Sequence, residues 1–221
     1  MNVVITGGNR GIGLEFVRQY LAAGESVWAG HRSDPGALAQ IDSSALHTVS
    51  WDVTRPLSAA TAAALPDEID ILINNAGIYG SQQGLDEITG KTMHEVFDVD
   101  CVAPLLIVQS LWRRLAKRRG RIANLSSKMG SSADNSSGGC YAYRAAKAAL
   151  IICSKSMAID LAEHGVRVIT LHPGWVRTDM TSHSGLIDAA TSVQGMRKVI
   201  DAIETYELGA LVAFDGQQVP F

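Results

Sequence analysis

The chain has few cysteines, and they form no pattern that would hold a metal or a disulfide framework. Its 221 residues contain 3 cysteines, without a C-x-x-C pair and without a cysteine and histidine cluster at zinc spacing. An odd number of isolated thiols fits reduced cysteines in a cytoplasmic protein. Four histidines of the chain also lack a ligand spacing, so we predict no metal site; they are His94, His164, His172 and His183.

Long apolar runs and a strong net charge are missing as well. The apolar stretch CVAPLLIVQSLW at 101–112 contains no charge but includes a proline, and it is shorter than the roughly 18 to 20 apolar residues that span a bilayer. A formal net charge of −3 gives no general attraction to nucleic acid or to anionic lipid. The first residues enter a strand pattern without the basic and apolar regions of a secretion signal. These absences predict a cytoplasmic protein without a membrane or nucleic-acid partner.

The sequence does contain a regular alternation of short apolar runs with longer amphipathic segments. The runs are rich in aliphatic and β-branched residues and lie at 2–6, 26–30, 46–53, 69–77, 120–127, 166–174 and 209–214. Helical patterns separate them at 12–23, 57–65, 92–118, 144–164 and 192–204. This alternation predicts a doubly wound α/β fold in three layers, with helices on both faces of a parallel sheet. Because no repeat or long linker interrupts it, we expect residues 1–221 to form a single domain.

A glycine-rich turn, TGGNRGIG, follows the first predicted strand and leads into a helix. Gly7, Gly11 and Gly13 are spaced G-x-x-x-G-x-G, and glycine allows the backbone to approach a phosphate closely. The helix N-terminus behind the turn offers free N–H groups and a partial positive charge. The turn therefore predicts the pyrophosphate site of a dinucleotide in a Rossmann fold. From this motif alone, a glycine-rich turn without a ligand is the alternative.

The segment about 20 residues beyond the glycines distinguishes two dinucleotides. Sites for NAD usually carry an acid there, which accepts a hydrogen bond from the ribose 2′-hydroxyl. This chain has AGHRSD instead, which includes Arg32, and Arg10 adds a second guanidinium in the glycine turn. Two cations favour a 2′-phosphate, because the planar guanidinium matches phosphate geometry. The segment predicts NADP(H), unless both arginines are solvated surface groups.

The segment SSADNSSGGCYAYRAAK at 131–147 contains two tyrosines, one of which has a lysine four residues later. Tyr143 and Lys147 share a helical face one turn apart, so the ammonium can act on the phenol. A nearby positive charge favours the phenolate and brings a pKa near 10 closer to the pH of proton transfer. Tyr141 has Ala145 at the same offset. We predict that Tyr143 is the proton donor, although a Y-x-x-x-K pattern alone is more often helix surface.

Five motifs occur in one order along the chain: the glycine turn, NNAG at 74–77, NLSS at 124–127, YRAAK at 143–147 and HPGWVRTDM at 172–180. Together they resemble the short-chain dehydrogenase/reductase family over essentially the full length. The early glycine turn, the long loop before YRAAK and the ending AFDGQQVPF are most similar to its branch of small C-factor-like carbonyl reductases. The resemblance implies hydride transfer between NADP(H) and a small carbonyl or alcohol, in a homodimer or homotetramer.

The resemblance also implies roles for individual residues. Tyr143 would be the acid/base, Lys147 would contact the ribose hydroxyls and tune Tyr143, and Ser127 would hold the substrate oxygen. The implied cofactor contacts run from the glycine turn to the segment after the sixth strand, where the carboxamide of the nicotinamide would bind. They are Gly7, Asn9, Arg10, Gly11, Ile12, Gly13, Arg32, Asp52, Val53, Asn75, Ala76, Gly77, Tyr143, Lys147, Pro173, Val176 and Thr178.

Two departures from the family pattern concern catalysis. Asp100 occupies the position of the fourth catalytic residue, which is usually an asparagine, and it adds a charge near Lys147. Ser127 and Tyr143 are 16 positions apart, which exceeds the common family spacing, and the excess falls in GSSADNSSGG. An insertion of small polar residues costs little closure entropy and can leave both ends in place. Ser126 is the fallback for Ser127, since alternation along a strand points only one of them into the cleft.

Two other functions compete with an oxidoreductase. An NADP-binding sensor or signalling protein with little turnover is the alternative that Asp100 and the likeness to C-factor motivate. Nucleic-acid binding through WRRLAKRRGR at 112–121 is a weaker alternative. Cations at the end of a helix usually form a solvated face that the helix dipole favours.

Overall fold

A parallel sheet of seven strands organises the residues that this computed structural model describes, which are 1–81 and 84–221. The strand order is β3-β2-β1-β4-β5-β6-β7, and every neighbouring pair is parallel. The strands are β1 (Asn2–Ile5), β2 (Ser26–His31), β3 (Leu46–Ser50), β4 (Ile71–Asn74), β5 (Arg121–Leu125), β6 (Arg167–His172) and β7 (Leu211–Ala213). The predicted doubly wound fold is confirmed, with the order of a Rossmann sheet extended by one strand.

Helices connect the strands and cover both faces of the sheet. They are α1 (Gly11–Ala22), α2 (Ala59–Ala64), α3 (Gly90–Phe97), α4 (Ala103–Ala116), α5 (Tyr141–Ala162) and α6 (Ala189–Asp201). Short 3₁₀ turns lie at Gly36–Gln40, Lys128–Gly130, Asp179–Thr181 and Ile203–Thr205. In the described part of the chain, each helix is too short or too polar to cross a membrane.

The two sides of the sheet pack separate apolar cores. Val3 and Ile5 of β1 pack with α1 and α6 on one face, whereas Val4 between them packs with α4 and α5 on the other. All three valine and isoleucine side chains are buried. Burial on both faces explains why the strands are continuous apolar runs without polar alternation. The three-layer arrangement predicted from the sequence follows directly.

The helical segment before β5 differs from its prediction. The amphipathic pattern indicated one helix over 92–118, whereas the structure has α3, a π-helical segment (Asp98–Val102) and α4. The N–H of Ala103 reaches back five residues to the carbonyl of Asp98. Pro104 has no N–H, so it cannot donate to the carbonyl of Asp100 as an α-helix would require. The wider turn resolves this conflict and carries Asp100 into the protein interior.

Helix α5 begins earlier than predicted. The pattern placed its start at residue 144, but the first helical residue is Tyr141. Gly138 and Gly139 have positive φ angles, and Cys140 has a φ of 52°, so the chain reverses sharply just before the helix. The other predicted helices and strands are confirmed with ends displaced by a few residues, which is the usual uncertainty of element boundaries.

The basic segment at 112–121 is anchored to the protein's own surface. Arg114 donates hydrogen bonds to the carbonyls of residues 62, 65 and 66, which precede β4. Arg118 forms an ion pair with Asp70 at 3.1 Å, and Arg121 lies 3.4 Å from Asp201. These contacts favour a structural role for the segment at the end of α4.

A buried polar chain ties β4 and β5 to α5. The side-chain amide of Asn74 donates to Asn124 Oδ1 at 2.8 Å, and Asn124 Nδ2 donates to Ser154 Oγ at 2.8 Å. Ser154 in turn donates to the carbonyl of Leu150 at 2.6 Å. Asn124 and Ser154 are fully buried. Buried polar groups of this kind are favourable only while each one keeps its partner.

We expect Asn124→Ala to lower the free energy of unfolding by about 3 kcal/mol, because Asn74 and Ser154 each lose a partner in a dry environment. Urea unfolding measures the change. The matched control is Ser110→Ala, which removes a hydroxyl that donates to Leu106 on the exposed side of α4 and should change stability by less than about 0.5 kcal/mol. Equally small changes in the free energy of unfolding for both substitutions would contradict a stabilising role for the buried hydrogen bonds.

Candidate active site

A cavity of about 980 Å³ opens along the carboxyl edge of the sheet. Its walls are the segments that follow β1, β2, β3 and β4, together with α5 and the segment after β6. The connections after β1 and β4 diverge here, because the strand order reverses between these two neighbours. Ligands of open α/β sheets bind at such a switch point. The volume is at the upper end of the range for small-molecule and cofactor sites.

The glycine turn forms the wall closest to α1. Gly7 and Gly11 have φ angles of 64° and 53°. A Cβ at Gly13 would lie 2.1 Å from the carbonyl oxygen of Gly7 and 2.4 Å from Asn75 Nδ2, so only glycine fits. The first turn of α1, which is fully described, contains no acid, and the Arg10 side chain does not cap it. The N–H groups at this helix end are therefore available to an anion, which fits a pyrophosphate.

Two arginines and an aspartate surround the other end of the cavity. Arg10 and Arg32 line it and are exposed to solvent. Arg10 lies 4.0 Å from the carboxylate of Asp179 on the opposite wall. The side chain of Thr54 donates to Asp52 at 2.8 Å, and this hydrogen bond, with a smaller contribution from the charge of Arg32, holds the pKa of Asp52 below its usual value. Because both guanidinium groups are exposed to solvent, neither has to break a buried ion pair before it binds a phosphate.

Tyr143, Ser127 and Lys147 meet at the inner end of the cavity. The Ser127 side chain lies beside Tyr143 and lowers the pKa of its phenol, and the Lys147 ammonium lies 5.5 Å from the centre of the Tyr143 ring. Lys147 Nζ also donates to the carbonyl of Leu125 at 2.9 Å. The Ser126 hydroxyl donates instead to the carbonyl of Lys147 at 3.0 Å. Ser127, and not Ser126, therefore presents its hydroxyl to Tyr143.

The long loop before α5 leaves this arrangement intact because Arg144 holds both of its sides. Arg144 donates to the carbonyls of Met129 at 3.1 Å and Gly138 at 3.3 Å, and to the Ser137 hydroxyl at 2.9 Å. These residues flank the polar insertion. The insertion is therefore looped out, as expected from its composition, while Tyr143 stays within hydrogen-bond reach of the end of β5.

The pKa of Tyr143 differs from its prediction. The sequence favoured a lowered pKa, because Lys147 lies one turn away. In the structure, burial raises the pKa of Tyr143, and this effect outweighs the lowering by Lys147; the nearby carboxylate of Asp100 raises it further. The neighbouring Ser127 side chain lowers the pKa, but by less than burial raises it. The Tyr143 phenol therefore keeps its proton at neutral pH and well above it.

The cavity includes most of the residues predicted to contact the cofactor, but three predicted site residues lie outside its lining. Val176 is buried and pairs with Ile187 in a short parallel bridge, so its side chain lies outside the cavity lining, and its contact with the nicotinamide stays a prediction. Asp100 lies beneath the wall, and Ser127 lies beside it. The lining residues that match the prediction are Gly7, Asn9, Arg10, Gly11, Ile12, Gly13, Arg32, Asp52, Val53, Asn75, Ala76, Gly77, Tyr143, Lys147, Pro173 and Thr178.

Tyr79 is a site residue that sequence reasoning missed. It lines the cavity, and its ring lies 5.1 Å from the Tyr143 ring, centre to centre, at an angle of 43°. Its hydroxyl lies 2.7 Å from Cys140 Sγ, directly before α5. The available signal was its position two residues after the NNAG segment, at the carboxyl end of β4.

Comparison with known proteins agrees with this geometry. A family model described as short chain dehydrogenase matches residues 1–186. The chain belongs to the short chain dehydrogenase family. The C-signal protein of Myxococcus xanthus is 38% identical over 156 residues, which make up 69% of this chain and 93% of that protein.

Solved structures of carbonyl reductases are similar over the whole chain. The NADPH-bound carbonyl reductase from chicken fatty liver has a TM-score of 0.90 and 33% identity, with 100% of this chain and 98% of that one covered. Carbonyl reductase Sniffer of D. melanogaster has a TM-score of 0.92 and 28% identity, with 100% and 99% covered. The family resemblance predicted from the motifs, including its likeness to the carbonyl reductases, is confirmed.

Gly13→Ala should weaken binding of NADPH at least tenfold, or about 1.4 kcal/mol, because the new methyl group displaces the backbone of the glycine turn. Isothermal titration calorimetry measures the dissociation constant. Gly90→Ala is the matched control, since a Cβ there meets open space in the described structure. An unchanged dissociation constant for Gly13→Ala would place the dinucleotide away from this turn.

Proposed function

We propose that this protein is an NADP(H)-dependent oxidoreductase that interconverts a small carbonyl compound and its alcohol. The observation that carries the proposal is the meeting of Tyr143, Ser127 and Lys147 at one end of a cavity of dinucleotide size. The similar structures named carbonyl reductases, one of them NADPH-bound, support it. The proposal treats residues 1–221 as a single dinucleotide-binding domain that acts in the cytoplasm.

The residues around the cavity fit NADP(H) in one orientation. The turn at Gly7–Gly13 would hold the pyrophosphate, and Arg10 and Arg32 would hold the 2′-phosphate. Asp52 and Val53 would lie beside the adenine. The nicotinamide end would lie against the segment at 75–77 and against Pro173 and Thr178. When bound, the cofactor supplies the hydride for reduction and accepts it in oxidation.

The three inner residues have complementary tasks in this proposal. Ser127 donates a hydrogen bond to the substrate carbonyl oxygen and stabilises the charge that develops there. Tyr143 holds its proton at neutral pH and donates it to the same oxygen, as general acid. Of the three N–H donors of Lys147, one donates to the carbonyl of Leu125, and a second faces the carboxylate of Asp100 in an ion pair at 3.1 Å. The third would contact a ribose hydroxyl of the cofactor.

Exposed apolar side chains on α4 and α5 support a homo-oligomer as part of the proposal. Leu105 and Leu106 are 39% and 45% exposed on α4. Ile152 and Ile159 are 53% and 58% exposed on α5. Apolar side chains that a protein leaves exposed on neighbouring helices are candidates for contact with a partner. A second copy of the chain is the partner that family resemblance favours, as a dimer or a tetramer.

A sensor or signalling protein that binds NADP(H) with little turnover is the second candidate. The 38% identity to a protein named C-signal favours it, as does the aspartate at position 100. Steady-state turnover of NADPH with a panel of small ketones and aldehydes separates the two candidates. Tight NADPH binding without turnover on the whole panel would favour the second.

Tyr143→Phe should reduce turnover by about 10²- to 10⁴-fold, because it removes the general acid and leaves the ring in place. Binding of NADPH should change little. Tyr141 is 39% exposed and lies outside the cavity lining, so Tyr141→Phe is the matched control and should cost less than about tenfold, or 1.4 kcal/mol of barrier. Normal turnover of Tyr143→Phe would show that this site is not the catalytic one.

Arg32→Asp should reduce the preference for NADPH over NADH at least tenfold, about 1.4 kcal/mol, since an attraction to the 2′-phosphate becomes a repulsion. Dissociation constants for both dinucleotides measure the preference. Arg55→Asp makes the same charge change at an exposed position outside the cavity lining and should leave the preference unchanged. Equal affinity of the unsubstituted protein for the two dinucleotides would contradict the assignment of NADP(H).

A further inference from the structure

Asp100 and Lys147 form a buried ion pair directly beneath the cavity wall. Asp100 Oδ2 lies 3.1 Å from Lys147 Nζ, and the two side chains are 0% and 6% exposed. The N–H of Ile78 donates to Asp100 Oδ1 at 2.8 Å. A Cβ at Gly77 would lie within 3.4 to 3.5 Å of both charged groups. Lys147 itself lines the cavity, and only the width of Gly77 separates Asp100 from it.

This pair carries no net charge, whichever partner holds the proton. As carboxylate and ammonium, or as carboxylic acid and amine, its charges sum to zero. Burial raises the pKa of Asp100, and the same carboxylate raises the pKa of Lys147 despite its burial. An asparagine at position 100 would leave an uncompensated ammonium beside Tyr143. The aspartate thus changes the charge that the phenol experiences by one full unit.

The other titratable groups that face Tyr143 in the described structure do not change the comparison between aspartate and asparagine at position 100. Tyr79, from the segment after β4, packs against its ring, and burial raises the pKa of Tyr79 to about 12, so it is neutral in the working range. Cys140, directly before α5, acts on Tyr143 through its charge only when ionised. Both groups are present with either residue at position 100. The difference between aspartate and asparagine therefore comes from the pair alone.

We infer that Asp100 is a positioning residue that cancels the charge of Lys147, so that the Tyr143 hydroxyl stays protonated to higher pH than it would beside an asparagine. Where Tyr143 is the general acid, this extends carbonyl reduction at the basic end of its pH range. The consequence for catalysis rests on the proposed function. The effect on the Tyr143 proton is a property of the protein alone.

The sign of the effect follows from the charged form of each group. Tyr143 is anionic when deprotonated, so an added positive charge favours deprotonation and lowers its pKa. Asp100→Asn removes a negative charge and leaves Lys147 positive. Reduction is lost as the pH rises through the pKa of the phenol, so its basic limb should move to lower pH. The acidic limb of the pH profile for the reverse oxidation should also move to lower pH, because it depends on the same Tyr143 proton.

Titration of the phenolate by its near-ultraviolet absorbance tests the inference without turnover. The absorbance of Tyr143→Phe is subtracted from that of the unsubstituted protein, and the same difference is taken in an Asp100→Asn background. We expect the Tyr143 transition to fall by at least about one pH unit in that background. Asp98→Asn, at an exposed position of the same π-helical segment, is the matched control and should leave the transition in place. A transition at the same or a higher pH in Asp100→Asn overturns the inference.

A second variant covers the case in which Asp100→Asn alone does not fold. The double substitution Asp100→Asn with Lys147→Met replaces a neutral pair by another neutral pair. Its Tyr143 transition should lie close to that of the unsubstituted protein, whereas Lys147→Met alone should raise the transition. A double variant that titrates at clearly lower pH than the unsubstituted protein overturns the inference.

The pH dependence of kcat/KM for reduction separates this inference from the proposed function. If Tyr143→Phe turns over normally while the absorbance transition shifts as expected, the assigned chemistry is wrong and the role of Asp100 stands. If Tyr143→Phe is inactive but Asp100→Asn leaves both the transition and the basic limb unchanged, the proposed function stands and the role of Asp100 is wrong.

Discussion

Four hydrogen bonds between the connections after β1 and β4 define the mouth of the cavity. The N–H groups of Asn75 and Ala76 both donate to the Thr6 hydroxyl at 3.0 Å. The side-chain amide of Asn75 donates to the carbonyls of Thr6 and Gly7 at 2.9 Å. These bonds hold open the crevice that reversal of the strand order creates. One of them, to the carbonyl of Gly7, also fixes the glycine turn that precedes α1.

Helix α5 supplies the second fixed wall, and its rigidity has an identifiable source. Ser154 joins the helix to Asn124 of β5 in the protein interior. About two turns nearer the site, Lys147 bonds to the carbonyl of Leu125 at the end of the same strand. The serine that meets Tyr143 follows Leu125 by two residues. A hydrogen-bonded strand and helix thus position the phenol and the hydroxyl together, as precise chemistry requires.

The fold, the glycine turn and the pairing of Tyr143 with Lys147 were predictable because each depends on residues that are close together in the sequence. Apolar runs, the Gly7–Gly13 turn and the four-residue spacing of Tyr143 and Lys147 are all visible within a few residues. The break in the helix at 98–102 was not found, since five residues of π-helix hardly disturb an amphipathic pattern; Pro104 was its only local sign. The burial of Val176 depends on the path of the later segment that carries Ile187, which local pattern does not determine.

The electrostatics of the site were the least predictable part, for the same reason. A lysine one turn from Tyr143 suggested a lowered pKa, and the sequence alone could not show how deeply the phenol is buried. The approach of Asp100 to Lys147 depends on the π-helical turn, which brings a residue 47 positions earlier in the chain into contact with the ammonium. Desolvation and a tertiary ion pair together outweigh the local pattern.

The buried aspartate is compatible with catalysis, although its departure from the family pattern motivated the sensor alternative. A lone ammonium in a dry site is unfavourable, and the carboxylate of Asp100 supplies a counter-charge 3.1 Å from Lys147. Asp100 stabilises it beneath Gly77 and leaves one of its N–H groups for a ligand. A buried ion pair adds little to stability compared with apolar packing. Its position at the inner end of the cavity therefore fits the inferred effect of Asp100 on Tyr143 better than a purely stabilising role.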